Sequence, residues 1–202
     1  MIPQQIFSAY DRNGNDALNR YRYCPVCAAP LVVAAPPAEP RQVCPACDWV
    51  CYRNPAPGVV ILITAGDSVL LGRRALSSFG AGAWCLPGGF IEYGEDFLSA
   101  AIRETREETG LTVEICSILS VVSNFLAAGL HTVVVVLKAR ILSGSPQPGD
   151  DLAELGWFPL AGPFPELAFE ADRHIIERYR LTHLEGAPVD PRYALPPAET
   201  LS

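Results

Sequence analysis

Apolar positions recur along the chain with different periods, and each period predicts a different element. The runs GVVILIT (58–64) and SVLLGRR (68–74) flank Ala65-Gly66-Asp67, which reads as two strands joined in a hairpin. From about Glu95 to Thr109 the period becomes helical: at about 100° per residue, Leu98, Ala101, Ile102 and Thr105 share one buried face. Glu95 and Asp96 stand in the first turn, where the helix dipole favours anions, and Gly110 supplies the stop. LTVEICSILSVVSNFL then alternates as a strand with a variable loop after it, and TVVVVL (132–137) is a buried strand. The polar loop SGSPQPGDD (143–151) leads into LAELGWFPL, a further strand. A second amphipathic helix, Glu166 to Tyr179, turns Leu167, Phe169, Ile175, Ile176 and Tyr179 inward.

The segments outside these elements divide the chain. Residues 1–20 are polar and predict an extended arm. Asp11, Asn13 and Asn15 imitate the start of a calcium loop, but Asp16 replaces the required Gly and Arg22 the required Glu, so that reading fails. Residues 21–54 form a small cysteine-bearing module that ends in the rigid joint Asn54-Pro55-Ala56-Pro57. The main domain occupies 55–182. A tail, 183–202, with Pro188, Pro191, Pro196 and Pro197, is expected to be disordered.

Half of the 202 residues are hydrophobic, enough for one sizeable core plus a small module. A net charge of -7 argues against a general nucleic-acid surface. Lys138 is the single lysine; every other basic residue is arginine, suited to bidentate phosphate contacts. No apolar run approaches the length of a membrane span and the N-terminus carries no secretory pattern, so a cytoplasmic protein is expected.

Two constellations carry chemistry. Glu104, Glu107 and Glu108, at i, i+3 and i+4, bring three carboxylates onto one helical turn, and Arg103 stands four residues before Glu107. A solvated helix gains nothing from that crowding, whereas hard cations such as Mg²⁺ or Mn²⁺ prefer oxygen ligands and would relieve it. The preceding Gly88-Gly89 turn can bring a backbone carbonyl, that of Gly88, to the same ion. Cys24-Pro-Val-Cys27 and Cys44-Pro-Ala-Cys47 are paired knuckles whose four thiolates suit a closed, structural Zn²⁺ site. Two disulfides are the competing reading. Cys51 lies outside the spacing, and Cys85 and Cys116 read as core residues.

The pattern G-x5-E-x7-R-E-U-x-E-E-x-G-U, with U apolar, runs from Gly89 through Glu95, Arg103, Glu104, Glu107, Glu108 and Gly110 to Leu111. It resembles the Nudix hydrolase signature, with Thr105 where an aliphatic residue is usual. The resemblance covers about residues 56–180, with a zinc ribbon before it. It implies an α/β/α sandwich with a mixed sheet and metal-dependent hydrolysis of a nucleoside diphosphate linked to another group. It also implies a homodimer in many relatives, and a base drawn from Glu104, Asp151 or Glu154. Arg73 and Arg74 are candidates to face a phosphate, and Phe79 and Trp84 to stack on a ring; strand-edge solvation and ordinary packing are the alternatives. Ser123-Asn124-Phe125-Leu126 departs from the NADH-diphosphatase motif, and Leu167-Ala168-Phe169 is more similar to the FAD and ADP-ribose group. RNA decapping and ligand sensing on the same fold remain as alternatives.

Overall fold

The computed structural model describes residues 1–10, 21–34 and 40–196. The rejected calcium loop at Asp11 to Asp16 lies outside the described residues. Twelve elements follow in order: β1 (Ile6–Ser8), β2 (Val32–Ala34), β3 (Arg41–Val43), β4 (Ala56–Ala65), β5 (Ser68–Arg74), β6 (Trp84–Cys85), α1 (Phe97–Thr109), β7 (Thr112–Ala127), β8 (Leu130–Ser143), β9 (Leu152–Pro159), α2 (Glu170–Thr182) and β10 (Ala187–Pro188).

Eight strands form one mixed sheet in the order β1-β7-β8-β4-β5-β6, with β9 on β5 and β10 on β7. The β4–β5 hairpin turns through Gly66-Asp67, because Ala65 already pairs with Ser68. β4 then runs parallel to β8, and β7 and β8 form a long antiparallel hairpin. The expected variable loop after β7 is therefore no more than the turn Ala128-Gly129, with Gly129 at φ +83°.

Alternation along the strands assigns the two faces of the sheet. In β4, Val59, Ile61 and Ile63 join Leu98, Ala101 and Ile102 of α1 in one core. Leu62 points the other way, into a second core with Leu86, Val134, Val136 and the α2 residues Ala171, Ile175 and Ile176. The helices thus cover opposite faces, which makes the α/β/α sandwich.

Both helices start later than the sequence pattern suggests. Asp96 caps α1 through hydrogen bonds from the Leu98 and Ser99 amides, so Glu95 stands outside it, and Gly110 closes the helix at φ +68°. Thr105 is fully buried, its hydroxyl donating to the Ala101 carbonyl at 2.7 Å. α2 begins four residues after Glu166, because residues 166–168 run extended beside β6: Trp84 donates to the Glu166 carbonyl and Ala168 to that of Trp84.

The chain ends are also packed. Phe7 of the expected loose arm is buried in the α2-side core, and β1 pairs with β7. In the expected disordered tail β10 pairs with β7, and Ile115 donates to the Ala194 carbonyl, with Ala194 itself buried. Proline excluded a helix there but not an edge strand. No helix among the described residues is long and apolar enough to cross a membrane.

Ile63 is fully enclosed between the sheet and α1. Ile63→Ala is expected to cost about 2–5 kcal/mol of stability by leaving a cavity, read from the denaturant midpoint. A loss under about 0.5 kcal/mol would contradict this packing.

Candidate active site

One cavity of about 600 Å³ opens at the end of the sheet where the Gly88-Gly89 turn meets α1. The turn is pinned to β4 by hydrogen bonds from Val59 to the Gly89 carbonyl and from Ile61 to that of Pro87. Between these two carbonyls, the Gly88 amide donates to Glu108 Oε2 at 2.8 Å. A Cβ on Gly88, whose φ is +154°, would lie 2.2 Å from the Val59 carbonyl oxygen, so no side chain is tolerated there.

Arg103 organises the acids. Its guanidinium donates to Glu95 at 2.5 and 3.0 Å, to Glu104 and Glu107 at 2.9 Å each, and to the Phe90 carbonyl at 3.1 Å. The sequence pairs Arg103 with Glu107 alone; the structure gives it all three carboxylates. Glu104 and Glu108 are buried, Glu107 half out in solvent. Burial pushes the Glu104 carboxyl up, against the pull of Arg103. Glu108 is raised to about 9, first by burial and then by the carboxylate of Asp151 beside it.

Asp151 arrives from the loop before β9 and is held by Arg74, whose Nη2 donates to its Oδ2 at 2.7 Å. The other oxygen, Oδ1, is buried with no hydrogen-bond partner. An orphaned carboxylate oxygen beside a second buried acid is what a cation would satisfy. The all-oxygen donor set of Glu104, Glu107, Glu108 and Asp151 matches Mg²⁺ or Mn²⁺ in chemistry. The residues present therefore fit a hard divalent ion.

Arg74 also donates to the Phe79 carbonyl at 2.5 Å, which fixes the loop after β5 against the cavity. Phe79 stacks on Phe169 with centroids 6.0 Å apart and 13° between planes, and both rings line the cavity. Gly88, Arg103, Glu104, Glu107, Glu108, Asp151, Arg74 and Phe79 are thus brought together. Arg73, Glu154 and Trp84 are not. Arg73 and Glu154 are cross-strand partners, paired with each other at 2.8 Å and largely exposed. Trp84 packs edge-on against Phe158 at 4.8 Å in the core.

Sequence reasoning missed Asp150, Phe169 and Asp172 in the lining. A signal for Asp172 was present: an acid at i–3 and i–4 to Ile175 and Ile176, on the helix face the pattern turned inward.

In the small module the two knuckles repeat one backbone design. The residue after each second cysteine, Ala28 and Asp48, is left-handed at φ +60° and +59°. Its amide returns to the first cysteine's carbonyl in both, Ala28 to Cys24 and Asp48 to Cys44. The four sulfurs lie within 4.8 Å of one another, with Cys24–Cys47 at 3.6 Å and Cys27–Cys44 at 3.4 Å. Those separations exceed a disulfide bond of about 2.05 Å and approach the roughly 3.8 Å edge of a tetrahedral ZnS₄ site. Among the described residues no other metal-ligating atoms gather this closely. Cys51 is buried but outside the cluster; Cys85 is buried, and burial pushes its thiol up. Cys116, expected in the core, is exposed on β7.

A model of the NUDIX domain matches residues 54–179. The chain is similar to an ADP-ribose pyrophosphatase of Methanocaldococcus jannaschii, 36% identical over 129 residues, covering 63% of this chain and 75% of the relative. It is 33% identical to an NAD-capped RNA hydrolase NudC of Pseudomonas fluorescens over 82% of this chain, which spans 59% of that relative. Among solved structures, a NUDIX hydrolase from Nitrosomonas europaea superposes with a TM-score of 0.70 at 28% identity, covering 84% of this chain and 97% of that one. With the glycine turn, the arginine-held acids and the two-helix sandwich all in place, the chain belongs to the Nudix family.

Proposed function

We propose that this Nudix pyrophosphohydrolase cleaves the diphosphate bond of a nucleoside diphosphate linked to a second group, with FAD or ADP-ribose as preferred substrates, releasing AMP and the phosphorylated second group. The observation that carries the reading is the unpartnered Asp151 Oδ1 beside buried Glu108, in the wall of a cavity that apolar side chains also line. A relative named as an ADP-ribose pyrophosphatase supports the choice of substrate.

In this reading Glu104, Glu107, Glu108 and the Gly88 carbonyl hold Mg²⁺ or Mn²⁺. The bound ion supplies charge neutralisation for the diphosphate and acidifies the attacking water. Arg103 keeps Glu104 and Glu107 oriented without taking them from the cavity. Glu104 or Asp151 positions the water and takes its proton; Glu154, tied to Arg73 outside the cavity, is the weaker choice of base. Arg74, already facing Asp151, is placed to meet a phosphate oxygen. The four cysteines hold a zinc ion that stabilises the ribbon and takes no part in hydrolysis.

With Mg²⁺ or Mn²⁺, a panel of FAD, ADP-ribose, NADH, NAD⁺ and NAD-capped RNA is expected to show AMP release from FAD or ADP-ribose. Glu108→Gln is expected to cut the rate by at least about 100-fold, since even outer-shell changes at metal sites cost 10–100-fold. Release of nicotinamide mononucleotide from capped RNA alone, with the adenosine monophosphate left as the RNA 5′ end, would replace the substrate reading, in line with the NudC relatives; cleavage of no compound would sink it.

Metal analysis of the purified protein is expected to find one zinc per chain, lost in Cys44→Ser together with several degrees of thermal midpoint. Protein purified without zinc and melting unchanged in that variant would refute the structural zinc.

A further inference from the structure

Asp172 lies on the inward face of α2, beside Ala171, Ile175 and Ile176, and is 2% exposed while lining the cavity. It stands in the first turn of α2, where the helix dipole favours an acid, but it does not cap the helix: Phe169 is at the N-cap and no side-chain cap bond forms. Instead Oδ2 accepts a hydrogen bond from the Leu86 amide at 2.9 Å, across the gap to the strand that enters the glycine turn. Among the described residues no ion pair compensates the charge. Arg74, which exerts the nearest favourable field, is committed to Asp151 and the Phe79 carbonyl. Burial raises the Asp172 carboxyl to about 7, so the fold is penalised for keeping an acid there. An amide or hydroxyl would hold the Leu86 amide without that penalty. A buried acid that destabilises its surroundings and faces a ligand cavity calls for a partner in the ligand.

The surroundings say what that partner looks like. The acids of α1 and the loop before β9 stand at one end of the cavity. At Asp172 the walls are Leu86, Val134, Ile175 and Phe169. Asn124 and Thr132, also in the wall, are hydrogen-bonded to each other at 3.3 Å. Such a slot takes a flat, apolar ring, and a carboxylate in it accepts from an N–H on the ring's edge.

We propose that Asp172 is a specificity-determining residue that accepts a hydrogen bond from the exocyclic amine of an adenine ring seated in the apolar end of the cavity. The proposal rests on the substrate reading above, since adenine is the ring shared by FAD, ADP-ribose and NAD. An amine at the 6-position meets the carboxylate as donor to acceptor; a carbonyl there, as in hypoxanthine, would set lone pairs against lone pairs and leave the buried acid unpaired.

Asp172→Asn separates recognition from scaffolding. The Leu86 amide is a donor, so it fixes the new side chain with its oxygen towards Leu86, and the NH₂ group then faces the ring. The scaffold bond survives while the preference at the 6-position inverts. The test measures binding of ADP and IDP, with Mg²⁺, to the full chain and to Asp172→Asn by calorimetry, alongside thermal unfolding of both proteins.

The wild type is expected to bind ADP at least about 10-fold more tightly than IDP, and the variant to lose or reverse that preference without a lower melting temperature. Equal binding of the two nucleotides by the wild type, or no binding of either, would overturn the assignment. So would equal weakening of both in the variant, the result of a residue that only holds the glycine turn. The AMP-release panel reads the other claim separately. Discrimination without hydrolysis keeps Asp172 as the base reader and removes the enzyme reading, whereas hydrolysis without discrimination does the reverse.

Discussion

Mutual repulsion among buried carboxylates is the constraint that the rest of this molecule answers. Glu104, Glu108 and Asp151 stand on one cavity, and burial works against the charged forms of Glu104 and Glu108. Arg103 supplies part of the answer by joining Glu95, Glu104 and Glu107 through a single guanidinium, which is itself held more firmly protonated by those partners, Glu95 first. The fork of five donors on three nitrogens is what makes this possible; a lysine in its place would offer three donors from a single nitrogen, too compact to span the three carboxylates. Glu108 lies beyond its reach and depends on the Gly88 amide and on whatever cation the cavity holds.

That dependence explains why the glycine turn and the helix must be built together. The turn has to pass close enough to α1 for the Gly88 amide to reach Glu108, yet stay hydrogen-bonded to β4 on its other side. A Cβ on Gly89 would lie 2.4 Å from the Glu104 carboxylate, and one on Gly88 would strike the β4 backbone. The packing of α1 against Val59, Ile61 and Ile63 sets the depth of this approach. The core on that face is therefore a positioning device for the acids as well as a source of stability.

How much of this could be read from the chain follows from what each feature depends on. The α1 acids, the glycine stop and the two cysteine knuckles depend on short spacings, and the structure places all of them as a helix turn, a left-handed cap and a four-sulfur cluster. The ends of the chain were misread because the pairing of β1 and β10 with β7 depends on contacts more than sixty residues distant, which local polarity and proline content do not report. Arg73 and Glu154 looked functional one at a time; only the register of β5 against β9 shows that they satisfy each other. Asp172 was passed over for the opposite reason, since helical periodicity was used to place apolar residues and not to ask why an acid shared their face.

The two helices divide the work because the sheet separates them. α1 packs on one face and sends its acids over the sheet's end; α2 packs on the other and lines the same opening from behind. Charge at the α1 end is partly compensated within the chain, by Arg103 at Glu104 and Glu107 and by Arg74 at Asp151, while Glu108 has only the Gly88 amide. The α2 end holds one acid with no ion-pair partner among the described residues, only the field of Arg74, in a wall of aliphatic and aromatic side chains. A buried acid in such a wall is most favourable when its ligand completes it, and in the role proposed for Asp172 the apolar end is where one nucleotide is told from another. Residues of α2 and β8 can then change what this cavity accepts without touching the acids of α1.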